Sequence, residues 1–383
     1  MKKVLFILSE NFSIGVIQSQ VLSHIELIQK NKIAKFTIVF CYWSIEELSK
    51  SREFLRNIKH KINCKVHFLK IFRPALFFLN FKNQERLFKK IIKINEKFDY
   101  IHARTDYCAI LCKNLAKQLN LKLIWDCRGD SSAEVDYEKL PLLKHLKKIY
   151  LNHRFKMAGK ISKKIIFVSN HLKLKYLDYN IKINEKKIFV IPSTASKNLF
   201  FYSKNLRKKY RNELKIKEKT IVFVYSGSLK RYQNFNKTID FFKKQYSIHN
   251  NTLLIILTQN IKEAKKLVGK EKNIIIKSVL YEQVNNYLNA ADFGILIRNN
   301  DSTNFAASPT KFAEYCMSGL KVITTSSVRD YFKYSRENIK NIIEIDKFNI
   351  LFKPNFDRKT IASFYIKEIS RESYLSEYKE LYD

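Results

Sequence analysis

The sequence predicts an α/β chain of two domains, and three observations predict it. Its 383 residues exceed what one core of ordinary size needs. Short apolar runs alternate with longer segments of helical pattern along the whole chain, which is how parallel sheets are built. The stretch 291–323 condenses that alternation into one strand, loop, helix and strand with legible start and stop signals.

Taken in order, the run from Val4 to Leu8 reads as a first buried strand, too short for a signal peptide despite the basic start Lys2-Lys3. A loop over 10–15 ends in Gly15, and 16–29 carries a helical pattern. Strands are expected at 35–42 and 65–72, with a helix at 45–59 between them. Arg73-Pro74 opens an aromatic-rich segment to Phe81, followed by a basic helix to about Lys97. The strand 99–104 ends in His102 and Arg104, and a helix spans 107–118. The strand 122–126 carries Arg128, Gly129 and Asp130 past its carboxyl end. Residues 140–164 read as one long helix crowded with lysine, with Leu142, Leu143, Leu146, Ile149, Tyr150 and Phe155 on an apolar side. Strands at 165–168 and 187–191 precede a polar linker near 193–204.

The second half opens with the strand 220–225, a turn at Gly227 with Lys230 and Arg231, and a helix from Asn234. Strands at 253–258 and 273–278 and a helix at 281–290 lead to the strand 293–297. The loop 298–307 is polar and lacks periodicity. Ser308 is a good N-cap, Pro309 suits the first helical position, and Gly319 ends the helix before a strand at 322–324. Such a unit sets a helix N-terminus beside the carboxyl ends of parallel strands, where free N–H groups and the helix dipole favour an anion. Glu314 lies five residues into that helix, within reach of polar groups on the same ligand. Short strands at 342–345 and 350–352 follow. From Arg358 the chain reads as a terminal helix whose Tyr374, Tyr378 and Tyr382, four apart, form a packing stripe.

Composition bears on partners rather than fold. Lys+Arg total 72 against 35 for Asp+Glu, a net charge of +37, while 46% hydrophobic residues exclude wholesale disorder. A bias towards Lys, Ile and Asn accounts for part of this. It does not account for so few acids, so an anionic partner is expected: phospholipid, nucleotide sugar or nucleic acid. The six cysteines show no zinc spacing and read as reduced, mostly buried thiols of a cytoplasmic protein. No run of eighteen apolar residues exists, so no transmembrane helix is expected.

The string Ala291-Asp292, then Ser308-Pro309-Thr310-Lys311-Phe312-Ala313-Glu314-Tyr315, then Gly319-Leu320-Lys321-Val322-Ile323 resembles the donor site of retaining GT-B glycosyltransferases. The likeness is to the family 4-like members of the bacterial surface polysaccharide type. The resemblance extends to Val168-Ser169 with Lys173, to Ile191-Pro192-Ser193 and to the 221–231 turn. It implies two Rossmann-like domains facing each other across a cleft: an acceptor domain at 1–195, a donor domain at 196–365, and a terminal helix at 366–383 packing back on the first domain. It implies that Glu314 binds the donor ribose and that Ser308, Pro309, Thr310 and Lys311 face the diphosphate. The family's turn cations would fall on Ser228 and Gln233; Lys230 and Arg231, beside Gly227, lie between them. On the acceptor side it implies Gly15 and Asp130, with His102, Arg104 and Arg128 as catalytic residues at adjacent strand ends.

The activity implied is transfer of a sugar from a nucleotide-sugar donor to a polysaccharide or lipid-linked glycan, with retention of configuration. Neither metal nor cofactor is implied, and the chain contains no Asp-x-Asp pair. The implied setting is the cytoplasm, peripheral on the inner face of the membrane, with an anionic membrane surface as partner through 140–164 and 72–81. Two alternatives stay open. A non-catalytic GT-B subunit would fit Ala306, which stands where the family carries an earlier Glu. A basic nucleic-acid-binding protein would fit the charge, although no nucleic-acid-binding motif is visible.

Overall fold

The computed structural model describes residues 1–9, 14–46, 48–49, 52–53, 63–74, 79–138, 143–179, 184–332, 334, 339–350 and 357–383. These fold into two units. Unit 1 comprises Met1–Pro192 with Tyr374–Asp383, and unit 2 comprises Ser193–Ser373; the sequence reading set the limits at 195 and 365.

Unit 1 is built on seven parallel strands: β1 (Lys2–Leu8), β2 (Ala34–Tyr42), β3 (Lys65–Lys70), β4 (Tyr100–Arg104), β5 (Lys122–Cys127), β6 (Lys164–Phe167) and β7 (Ile188–Val190). Their order is β3-β2-β1-β4-β5-β6-β7, so the direction of winding reverses between β1 and β4. Val4 to Leu8 are all buried, because β1 is covered on both faces; that is why its sequence is continuously apolar rather than alternating. The expected helix at 16–29 is interrupted. Gln18–Leu22 forms a π-turn between Ile14–Ile17 and Ser23–Lys30, where the Ser19 and Ser23 hydroxyls donate to the carbonyls of Gly15 and Gln18, each at 2.6 Å. The expected helix at 107–118 likewise breaks at Cys112. The long basic helix is shorter than expected, Lys144–Ile161, because Ser162 is extended and Lys164 opens β6. Most of 45–59, and the strand at 350–352 beyond Ile350, lie outside the described residues.

Unit 2 has six parallel strands: β8 (Ile221–Ser226), β9 (Thr252–Leu257), β10 (Ile274–Lys277), β11 (Phe293–Leu296), β12 (Lys321–Thr324) and β13 (Ile342–Glu344). The order β10-β9-β8-β11-β12-β13 again reverses at the first strand. Along β8, Val222 and Val224 enter one core while Phe223 and Tyr225 enter the other, the period-two alternation of a sheet packed on both faces. Gly294 on β11 is where the Thr310–Met317 helix lies against the sheet. A Cβ there would sit 2.3 Å from the Tyr315 ring, and the Tyr315 hydroxyl accepts the Ser226 N–H at 2.8 Å.

The terminal segment corrects the single helix expected from Arg358. Arg358–Ile369 packs in unit 2 through Ile361, Tyr365 and Ile369. The chain then turns extended at Ser370, where Arg371 N–H donates to the Ala195 carbonyl at 2.8 Å. A second helix, Leu375–Tyr382, puts Tyr378, Leu381 and Tyr382 into the core of unit 1.

Candidate functional site

In unit 2, the strand ends on either side of the reversal carry a cluster of polar groups. β8 runs out into Gly227, whose φ of +145° suits glycine. A Cβ at Gly227 would lie 2.8 Å from Lys311 Nζ. Lys311 is buried; its Nζ donates to Gln233 Oε1 at 2.7 Å and lies 4.2 Å from the Tyr225 ring centroid. Gln233 ends the 3-10 turn Arg231–Gln233, and its Nε2 donates to Ser228 Oγ at 3.3 Å. Arg298 follows β11 and is also buried. Its Nη2 donates to the same Gln233 oxygen at 3.4 Å and its Nη1 to Asn304 Oδ1 at 3.3 Å. Asn304 is fixed in turn by the short helix Ser302–Phe305, N-capped by Asp301, inside the stretch expected to be irregular.

One turn further along the Thr310–Met317 helix sits Glu314, buried beside Tyr281 and Arg371. Burial raises its carboxyl to about 7, against the opposing pull of Tyr281, Lys311 and Arg371. Burial also pushes the Lys311 ammonium well below the usual lysine range, and neighbouring Arg298 adds to that.

Ser308 is not the N-cap. Its hydroxyl accepts the Ser193 N–H at 2.8 Å and pairs with the Tyr331 hydroxyl at 3.0 Å, which leaves extended Pro309 as the cap and Thr310 as the first helical residue. Lys230 and Arg231 are exposed on the turn, with Lys230 Nζ 5.8 Å from the Tyr232 ring centroid. Sequence reasoning therefore named Gly227, Lys311 and Glu314 of this cluster. It missed Arg298 and Arg371 and met Gln233 only as a register position. The available signal was position: Arg298 is the first charged residue past a buried strand.

In unit 1, His102, Arg104 and Arg128 converge on Asp126 at the end of β5, a carboxylate that the sequence reading placed at the strand end without assigning it a role. His102 Nε2 lies 3.5 Å, Arg104 Nη1 3.6 Å and Arg128 Nη1 3.3 Å from its oxygens. Burial alone would raise the Asp126 carboxyl, but Arg128, His102 and Arg104 hold it well below the ordinary range. His102 Nδ1 lies 2.7 Å from the Tyr382 hydroxyl, and the ring stacks on Phe6 at 4.6 Å. A small cavity beside it is lined by Gln20, His24, His102, Arg128 and Tyr382. Asp130 caps the helix Ser131–Glu134 and pairs with Lys175 at 2.6 Å. Gly15 is an exposed position in the Ile14–Ile17 turn rather than in a loop.

No protein-family model matches the sequence, and no curated protein matches it. Solved structures do match. HepE from Anabaena, in complex with UDP-glucose, aligns with a TM-score of 0.70 at 11% identity, over 99% of this chain and 99% of that one. A glycosyltransferase from Rickettsia africae aligns at 0.68 and 15% identity, over 100% and 97%. WaaG, a glycosyltransferase involved in lipopolysaccharide biosynthesis, aligns at 0.61 and 14%, over 99% and 94%. The chain has the GT-B fold. The expected α/β GT-B architecture holds, with a sheet of Rossmann strand order in each unit.

Proposed function

We propose that the protein is a glycosyltransferase whose unit 2 holds a nucleotide-sugar donor. The observation that carries this is the meeting of a buried carboxylate, Glu314, with buried Lys311 and Arg298 at the carboxyl ends of β8 and β11. A carboxylate suits the ribose hydroxyls, cations suit the diphosphate, and the N–H groups of the Thr310–Met317 helix add positive potential. That a protein of the same fold was solved with UDP-glucose supports the reading. The chemistry we infer is retaining and metal-free, with the leaving diphosphate stabilised by these fixed cations as charge develops on it. On the acceptor side we assign Arg128, which lines the cavity, to substrate contact, and His102 and Arg104 to holding it through Asp126.

We take the acceptor to be a glycan or lipid-linked glycan at an anionic membrane. Phe81, Leu143, Leu146 and Ile149 are 61%, 66%, 65% and 54% exposed among lysines, and Asn80 donates to Tyr150, so the two helices bearing them touch. Among the described residues no helix is long and apolar enough to cross a membrane, so the attachment would be peripheral.

The test is a panel of UDP-, GDP-, ADP- and CMP-sugars, scored by thermal shift and by release of nucleotide, with and without EDTA. Stabilisation by one base class and turnover indifferent to EDTA are expected; no stabilisation by any sugar nucleotide would sink the reading. Ala306, fully buried where the family carries a Glu, favours a second reading, a non-catalytic GT-B subunit. That reading expects binding without turnover.

A further inference from the structure

Thr105 stands in a conformation that its own side chain opposes. Its φ of +79° and ψ of 160° fall in a region essentially confined to glycine, and a β-branched residue is poorly suited to it. Asn95 and Asn234, also of positive φ, lie instead at +53° and +52°, in the left-handed helical region that asparagine tolerates. The chain is pinned on both sides of Thr105. On one side Arg104 is in register with Asp126 across β4 and β5, and the Thr105 N–H donates to the Asp126 carbonyl at 2.9 Å. On the other, buried Asp106 accepts Arg154 Nε and Nη2, from the Lys144–Ile161 helix, at 2.9 and 3.2 Å. Backbone strain of this kind persists only where the surroundings over-determine it.

A second irregularity meets the first. Gln20 lies in the Gln18–Leu22 π-turn, a feature that recurs at functional sites, and its Oε1 accepts Arg104 Nη2 at 3.0 Å. Arg104 is 1% exposed, so it acts through its neighbours. Its Nη1 and His102 Nε2 both face Asp126 Oδ2, at 3.6 and 3.5 Å, while Arg128 Nη1 takes the other oxygen, Oδ1, at 3.3 Å. The carboxylate is thereby turned with one oxygen toward its supports and one toward the arginine that lines the cavity.

We propose that Thr105 and Gln20 are positioning residues for the acceptor. Thr105 fixes where Arg104 leaves the sheet, Gln20 fixes its guanidinium, and Arg104 acts through Asp126 to aim Arg128 at acceptor hydroxyls. This rests on the glycosyltransferase reading above and on the assignment of Arg128 to substrate contact.

The probes are the octyl glycosides of glucose, galactose and N-acetylglucosamine, with the sugar nucleotide preferred in the panel above as donor. Transfer to the glycoside and hydrolysis of the donor without it are measured side by side. Gln20→Leu keeps the bulk and removes the oxygen. It should lose roughly 10- to 100-fold in kcat/KM for the glycoside, with hydrolysis and the KM for the donor unchanged. Gln20→Glu returns an acceptor to Arg104 and should recover most of that loss. Thr105→Gly should melt at an equal or higher temperature than wild type, because glycine relieves the φ and is nearly as good a cap. It should nevertheless lose about tenfold or more in transfer, as the joint loosens. Thr105→Ser, which keeps the Cβ and the hydroxyl, should transfer nearly as wild type does. A merely structural role moves stability and transfer together. Wild type that glycosylates a glycoside while Q20L and T105G do so equally well overturns the proposal and leaves the glycosyltransferase reading intact. T105G that melts well below wild type, or losses that fall equally on transfer and hydrolysis, also overturn it. Wild type that hydrolyses the donor but uses no glycoside removes Arg128 from acceptor contact, and the proposal with it. Wild type that does neither sinks the glycosyltransferase reading as well.

Discussion

Glu314 sits where a carboxylate is costly to ionise, and the cost has a measurable sign. Its folded pKa is raised to about 7 from 4.5, so between those values the folded protein holds a proton that the unfolded chain releases. Stability from this group is full below about 4.5 and falls as pH rises through about 7, by about 3 kcal/mol. Lys311 works in the opposite sense, since a depressed ammonium favours the folded state more as pH rises. Urea unfolding from pH 4.5 to 8 should show that fall in wild type and a flatter profile in Glu314→Gln; parallel profiles would remove the assignment. The same variant should weaken nucleoside diphosphate binding by about tenfold, the worth of one charge-assisted bond. Wild-type affinity should increase as the pH is raised through about 7, as the better acceptor forms. Lys311 and Glu314 were legible because they share one helix with a recognisable start. Arg298 and Gln233 were not, because they meet Lys311 only through the tertiary course of β11 and the 231–233 turn, 65 residues apart in the chain.

At the scale of the element, the helix Val284–Ala290 ends against three arginines. Arg207, Arg211 and Arg358 donate to the carbonyls of Asn289, Ala290 and Ala291 at 2.7–3.3 Å, and Arg207 also pairs with Asp292 at 2.6 Å. Asp292, which looked like part of the donor string, is thus a structural anchor; its other oxygen accepts the Val222 N–H at 2.9 Å and ties β11 to β8. Burial, with Arg207 next, lowers the Arg358 guanidinium to about 9, a sign of how fully it is enclosed. Arg358→Met should cost about 3 kcal/mol by stranding those carbonyls, read as a lower urea midpoint with an unchanged slope. The helix Lys144–Ile161 shows why an apolar side was only partly legible. Leu151, Phe155 and Ala158 turn inward, while Leu146 and Ile149 do not, and lysine density hides that split in the sequence. Replacing Leu146 and Ile149 by Ser should reduce cosedimentation with acidic vesicles, and high salt should release wild type. Equal binding of wild type to neutral vesicles would contradict the membrane role.

For the molecule as a whole, both sheets could be read from sequence because their central strands are buried on two faces and so announce themselves as apolar runs. The route of the terminal segment could not, since Ser370 breaks a helical pattern for a backbone pairing with Ala195 that no local signal encodes. That segment holds unit 1 together. Tyr382 packs edge-on against Phe36 and Tyr100, its hydroxyl meets His102, and Lys164 donates to the carbonyls of Glu380 and Leu381. Leu381→Ala should therefore cost about 2–5 kcal/mol. Hydrogen exchange should speed up in β1, β2 and β4 while β8 and β11 keep their protection; uniform acceleration in both units would contradict this division. There is a consequence for biosynthesis. Residues 374–383 emerge from the ribosome only after all of unit 2 has been translated, so the earliest-made half of the protein is the last to be finished. Until then Phe36, Tyr100 and His102 lack the cover of Tyr382, so unit 1 is expected to complete its core only once unit 2 has been made.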